Sequence, residues 1–170
     1  MTVANIQTAP EPRRTLRSTF LYSFEAGLDL TPIGLVPEGL RMTVGFDGQV
    51  TGGLCTGGRL WGIDPLLVRS DGVGVIDAAK TIVCGDQRIY EHLHGYCLPP
   101  PGVQMPPLEA LLDPKFEWPD LEFTIRGFST FRGHGELAYL NDAIGLVRGH
   151  ANFATRRLVI ETELPDLGAS

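Results

Sequence analysis

VGVIDAAKTIVC (73–84) and RIYEHLHGYC (88–97) stand on either side of Gly85-Asp86-Gln87. Each flank is rich in β-branched and aromatic residues, and glycine-aspartate is turn chemistry. The stretch therefore predicts two antiparallel strands joined as a hairpin. The pattern repeats outward. Ser70-Asp71-Gly72 separates LLVR from VGVID in the same manner, and Pro37-Glu38-Gly39 marks a turn before LRMTVGF. Asp47-Gly48 reads as a further tight turn between two strand-like runs. TFLYSFEAGLDL opens the series, GGRLWGI and LEFTIRGFSTF lie within it, and RRLVIETEL closes it, with Leu158, Ile160 and Thr162 alternating against Val159, Glu161 and Glu163. ELAYLN reads as a short helix or turn leading into the strand AIGLVRG. The count comes to roughly eight to ten strands with almost no helix, for which a single antiparallel β-barrel is the natural solution because closure removes exposed edges.

Composition agrees with one globular domain. With 170 residues, 43% hydrophobic and 20% charged, the chain is long enough to bury a real core. The 21 glycines and 13 prolines follow no three-residue period, so they read as turn punctuation rather than collagen. A net charge of −6 argues against a nucleic-acid partner, which needs a basic face. No apolar run approaches the about 18 residues of a membrane span, so no membrane partner is expected. Residues 1–17 read as a loose arm without the apolar core of a signal peptide, 18–165 as one β-barrel domain, and 166–170 as a tail; cytoplasmic residence follows by default. Cys55, Cys84 and Cys97 form an odd set without a CxxC pair, which predicts free, mostly buried thiols. The proline-rich stretch 98–119 breaks the strand pattern, and only LEALL within it suits a helical turn. Long irregular loops of this kind commonly serve as lids, here over a barrel mouth.

Several pieces, taken in order, resemble the DUF3237 (UPF0311) family: PEGLR (37–41), GQVTGG (48–53), DPLLVRSDGVGVIDAAKTIVCGDQRIY (64–90) and FSTFRGHGELAYLNDAIGLVRG (128–149). The resemblance implies a calycin-like (lipocalin-like) closed barrel, often oligomeric, with a cavity inside, and little about activity. The chain departs from the family at Pro65, where many members carry tryptophan. It departs again at Ala79 and Lys80, and at His92 and His94, where arginines are common.

Chemistry is sought among ionisable and aromatic residues on the strands. On a regular strand Tyr90, His92 and His94 share one face while Ile89, Glu91 and Leu93 share the other. The polar row lines a cavity if the interior is one, and faces solvent if the interior is a dry core. Histidine titrates near neutrality, which suits general acid–base work. Asp77 shares its row with Val73, Val75, Ala79 and Thr81; it is either a catalytic carboxyl or a structural one paired with an arginine such as Arg41. The first reading takes Asp77, His92 and His94 as catalytic. Arg41, Trp61, Asp64, Tyr90, Phe128 and Tyr139 then hold the substrate, with turn chemistry the simpler reading of Asp64 and core filling that of the aromatics.

That reading is a cofactor-independent enzyme performing cyclisation, isomerisation or hydration and dehydration on a small hydrophobic, polyketide-like or aromatic compound, with homo-oligomerisation possible. Neither a cofactor nor a metal is assigned in it. The alternatives are a lipocalin-like carrier and a cupin-like metal enzyme using His92 and His94. GxSxG, Walker, GxGxxG and HExxH motifs are all lacking, which removes support for hydrolase, nucleotide and zincin readings.

Overall fold

The structure is a computed structural model and describes residues 16–166. The N-terminal arm and the C-terminal tail expected from sequence therefore lie largely outside the described residues. Nine strands follow in chain order: β1 (Ser18–Val36), β2 (Gly39–Gly53), β3 (Arg59–Asp64), β4 (Leu67–Val68), β5 (Gly74–Cys84), β6 (Gln87–Leu98), β7 (Phe123–Gly133), β8 (Ile144–Asn152) and β9 (Arg157–Pro165). Every pairing is antiparallel, and β1 bonds to both β2 and β9, so the sheet closes on itself as an all-β barrel. The short β3 and β4 share one place in the ring, each between β2 and β5. Pro65 separates them because it has no N–H to give the ladder.

The hairpin at 85–86 forms as read, pairing Cys84 with Gln87. So do the turns at 37–38, where Val36 meets Gly39, and at 70–72, where Arg69 and Val73 close the loop. Asp47-Gly48 is not a turn. Both residues lie inside β2, paired with Gly27 and Ala26. A Cβ on Gly48 would sit 2.0 Å from the Glu25 carbonyl oxygen, so the glycine is there to let β1 approach closely.

Alternate residues point inward and build the core: Tyr22, Phe24, Leu40, Leu60, Ile82, Ile89, Phe131 and Ile160 are almost wholly buried. A 3₁₀ turn over Gly135–Asp142 closes one end with Leu137 and Leu140, where the expected ELAYLN turn falls. The Asn141 amide donates to the Gly133 carbonyl and accepts from the Gly133 N–H, fastening this turn to β7. The loop between β6 and β7, including a 3₁₀ turn over Leu108–Leu112, covers the other end. Leu111 is buried there, and Met105 and Trp118 pack beside Met42, Phe123 and Phe153. Edge-on and tilted aromatic contacts (Phe116 to Trp118 at 5.4 Å, Trp118 to Phe153 at 4.8 Å) hold the cap in place.

The cysteines correct the expectation of three free thiols. Cys55, in the turn after β2, and Cys84, at the end of β5, are disulfide-bonded with Cα atoms 5.3 Å apart. Arg59 pairs with Val83, so the turn leading into β3 is laid directly against the end of β5. Only Cys97 is a free, buried thiol. Among the described residues no helix is long and apolar enough to cross a membrane.

Candidate functional site

The barrel axis holds a chamber of about 60 Å³, walled mainly by Phe24, Val44, Phe46, Ile76, Leu93 and Ile125. One water needs about 10–15 Å³ measured this way, so the chamber takes a few waters or a compound of a handful of heavy atoms. Two ionisable side chains break its apolar wall, Asp64 and Lys80; the Cys97 thiol joins them.

Asp64 is 7% exposed at the end of β3. Its carboxylate accepts a hydrogen bond from the Asp77 N–H at 3.0 Å, a donor that the proline break leaves beside it. Burial pushes the Asp64 carboxyl up to about 6; the Asp77 amide and the Arg41 charge pull downward, and the Asp77 charge adds to the rise. A carboxyl at that value changes protonation close to neutral pH, as a general acid or base requires. Cys97 is pushed up to about 12, first by burial and then by the Asp64 charge, so its thiol is not a nucleophile at neutral pH.

Deeper in the barrel, the Lys80 ammonium meets Glu91 Oε1 at 2.7 Å and lies 4.8 Å from the Phe24 ring centre. Ser129 Oγ donates to Glu91 Oε1 at 2.5 Å, and Tyr22 donates its phenol hydrogen to Glu91 Oε2. Burial lowers Lys80 to about 7 and raises Glu91 to about 8, the Ser129 hydrogen bond opposing the latter. Burial thus acts against both charges, while three donors on one carboxylate act for them; the two groups titrate as a pair. The Thr162 hydroxyl, buried in the same interior, has no hydrogen-bond partner among the described residues.

Most of the residues expected to line a cavity stand elsewhere. The inward rows are Ile76, Ala78, Lys80 and Ile82 on β5 and Ile89, Glu91, Leu93 and Cys97 on β6. Asp77, His92 and His94 are therefore on the outer wall, where they meet one another: His92 Nε2 lies 2.8 Å and His94 Nδ1 3.1 Å from Asp77 Oδ1. Arg41 is outside as well, and its Nη1 donates to the Pro65 carbonyl at 2.9 Å rather than pairing with Asp77. Trp61, Tyr90 and Phe128 are exposed on the outer wall, and Tyr139 is exposed on the 3₁₀ turn over Gly135–Asp142. Arg41, Asp77, His94, Tyr96, Arg126 and Phe128 together border an open outer groove. Only Asp64, of the nine expected site residues, reaches the chamber. No histidine lines it, so His92 and His94 form no cupin-like centre within the barrel.

The interior polar residues escaped the sequence reading although a signal was present. The hairpin pairs Lys80 with Glu91, opposite charges in two otherwise apolar rows. Both rows of β5 contain one charge, Asp77 or Lys80, so apolarity alone does not say which row is inside.

Neither a protein-family profile nor a curated sequence relative matches the chain. Among solved structures it is similar to RPA1785 from Rhodopseudomonas palustris, a conserved protein of unknown function. The TM-score is 0.65 and the identity 21%, over 89% of this chain and 99% of that one. It is also similar to a protein with unknown function from Clostridium acetobutylicum ATCC 824, at TM-score 0.70 and 20% identity with the same coverage of both chains. At such identities the likeness carries the barrel fold alone.

Proposed function

We propose that the barrel is a cofactor-independent enzyme, of lyase or isomerase type, acting by proton transfer on a small apolar organic compound held in the interior chamber. The observation behind this reading is Asp64, a carboxyl pushed up to about 6 in the wall of an otherwise apolar cavity. As a carboxylate it takes a proton from carbon next to a carbonyl; as the acid it returns one. Lys80, in the same wall, offers an N–H hydrogen bond to the oxygen of the resulting enolate. The chamber fits a compound of a few heavy atoms, and a polyketide-sized one requires displacement of the cap over residues 99–122. Membership of the DUF3237 family is part of the same proposal and rests on the ordered motifs. So is homo-oligomerisation, for which the exposed Trp61, Ile63, Tyr90 and Phe128 on the outer wall speak. The Cys55–Cys84 bond speaks against the default cytoplasmic setting, since cytosolic thiols are held reduced.

The test needs no knowledge of the natural substrate. Small ketones are incubated with the protein in D₂O, and loss of their α-protons is followed by NMR. Accelerated exchange that disappears in Asp64→Asn supports the enzyme; equal exchange in both proteins removes Asp64 from the chemistry. The second reading is a carrier, favoured by how few polar groups the chamber wall holds. It expects ketone binding without exchange, retained in Asp64→Asn.

A further inference from the structure

We propose that Asp77, His92 and His94 form a binding site for a divalent transition-metal ion of the zinc class on the outer wall of the barrel, separate from the interior chamber. The ladder makes this arrangement. Asp77 pairs directly with His94, while His92 sits two positions along on the same face, opposite Ala79, whose small side chain leaves the space between His92 and Asp77 open. His92 reaches Asp77 diagonally through Nε2, and His94 reaches it through Nδ1. The two imidazole rings are 4.2 Å apart between centres, and the three ligand atoms all lie within 4.8 Å of one another.

Zinc binds imidazole nitrogen and carboxylate oxygen at about 2.0–2.2 Å, which sets tetrahedral ligand atoms roughly 3.3 Å apart. The two carboxylate–imidazole separations, 2.8 and 3.1 Å, lie just under that value and the third pair of ligand atoms is within 4.8 Å, so small side-chain rotations bring the three groups to one ion. Two imidazoles and one carboxylate also suit this class of cation better than the oxygen-seeking calcium or magnesium. Neither ring makes another hydrogen bond to a described residue, so beyond Asp77 no described residue competes for the two nitrogens. The three side chains are half-exposed, which gives an ion direct entry from solvent and leaves its remaining positions to water or a ligand. Arg41 and Arg126, which border the adjoining groove, fit an anion in that role.

Two imidazoles in contact with one carboxylate and no ion is the competing description, and one experiment separates them. Full-length protein without a polyhistidine tag is stripped with EDTA and titrated with Zn²⁺ by calorimetry, with metal content measured after dialysis. One equivalent per chain is expected. Asp77→Ala, His92→Ala and His94→Ala should each weaken binding by more than about tenfold, the loss that even an outer-shell change to a metal site produces. His150→Ala, at an exposed histidine away from the cluster, should leave binding unchanged. Thermal melts in EDTA check that the variants stay folded, as expected for exposed side chains. Co²⁺ gives a second reading, as a visible ligand-field band present in the wild type and lost in the three variants. Absence of stoichiometric uptake, or uptake that survives all three substitutions, overturns the site.

Discussion

Lys80 and Glu91 face each other across the β5–β6 ladder, inside the barrel, with Nζ and Oε1 2.7 Å apart and each side chain almost fully buried. Lys80 reaches the chamber wall and Glu91 lies behind it, and the two form the buried ion pair of the interior. Burying either alone costs several kcal/mol, and the cost is offset only while the partner and the hydroxyls of Tyr22 and Ser129 remain.

Single and paired replacements should therefore behave differently. Glu91→Gln or Lys80→Met alone is expected to destabilise by about 3–5 kcal/mol, because each strands one buried ionisable group. The double variant, with no charge left to strand, should lose less than the sum of the two. Urea denaturation of the four proteins yields the coupling energy. Additive losses would show that the pair contributes nothing as a pair.

Asp64 makes stability depend on pH in a defined direction. Its folded value, about 6, lies above its unfolded value of 3.8, so between these the folded chain holds a proton that the unfolded chain releases. This contribution is fully present below pH 3.8 and is lost as pH rises through 6, a swing of up to about 3 kcal/mol. Asn in its place keeps an acceptor for the Asp77 N–H without the charge. Asp64→Asn should gain stability relative to the wild type at pH 7, and the gain should shrink toward pH 4. A difference in melting temperature that does not vary with pH would count against the burial of this carboxyl.

The fold was largely legible because antiparallel barrels write themselves as short alternating runs with turn residues between them; the hairpin at 85–86 and the turns at 37–38 and 70–72 all fall where the residues put them. Asp47-Gly48 misled because glycine serves two purposes. It relieves a turn, and it also lets one strand pass close to another, as here against Glu25. The site was harder for a reason of symmetry. Sliding the face assignment of a strand by one residue exchanges inside for outside, and β5 offers two plausible rows with one charge each. Residues alone leave the facing of the Asp77 row and of the His92–His94 row open, and the catalytic reading needs both inside, where the structure has Lys80 and Glu91 instead. The three nevertheless do converge, which the ladder guarantees on whichever face they stand.

The disulfide is open to a direct count. Closing a loop across 29 residues is worth about 3–4 kcal/mol in the chain-entropy account. Purified protein should show no thiol reactive to a colorimetric reagent in the native state and one, Cys97, after denaturation. Cys55→Ser should then raise the denatured count to two and lower the melting temperature by several degrees. Three thiols on denaturation would return Cys55 and Cys84 to the reduced state.

Cys97 also reports on the cap. It borders both the chamber and a smaller void of about 10 Å³ under Met105 and Trp118, with Leu66 and Phe153 shared by the two cavities. Removing the Trp118 ring takes away the contacts to Phe116 and Phe153 that hold residues 99–122 over this end. Trp118→Ala is expected to cost about 2–4 kcal/mol and to let the void run into the chamber. The cost alone would not distinguish an opened cap from a weakened core. The thiol does: a small neutral mercurial should label Cys97 at least tenfold faster in Trp118→Ala than in the wild type under conditions where both stay folded. Phe131→Ala, a truncation of similar cost at a fully buried ring on β7, should weaken the fold without that acceleration. Equal labelling rates in the two variants would mean that Cys97 is reached by unfolding rather than through the mouth that the cap covers.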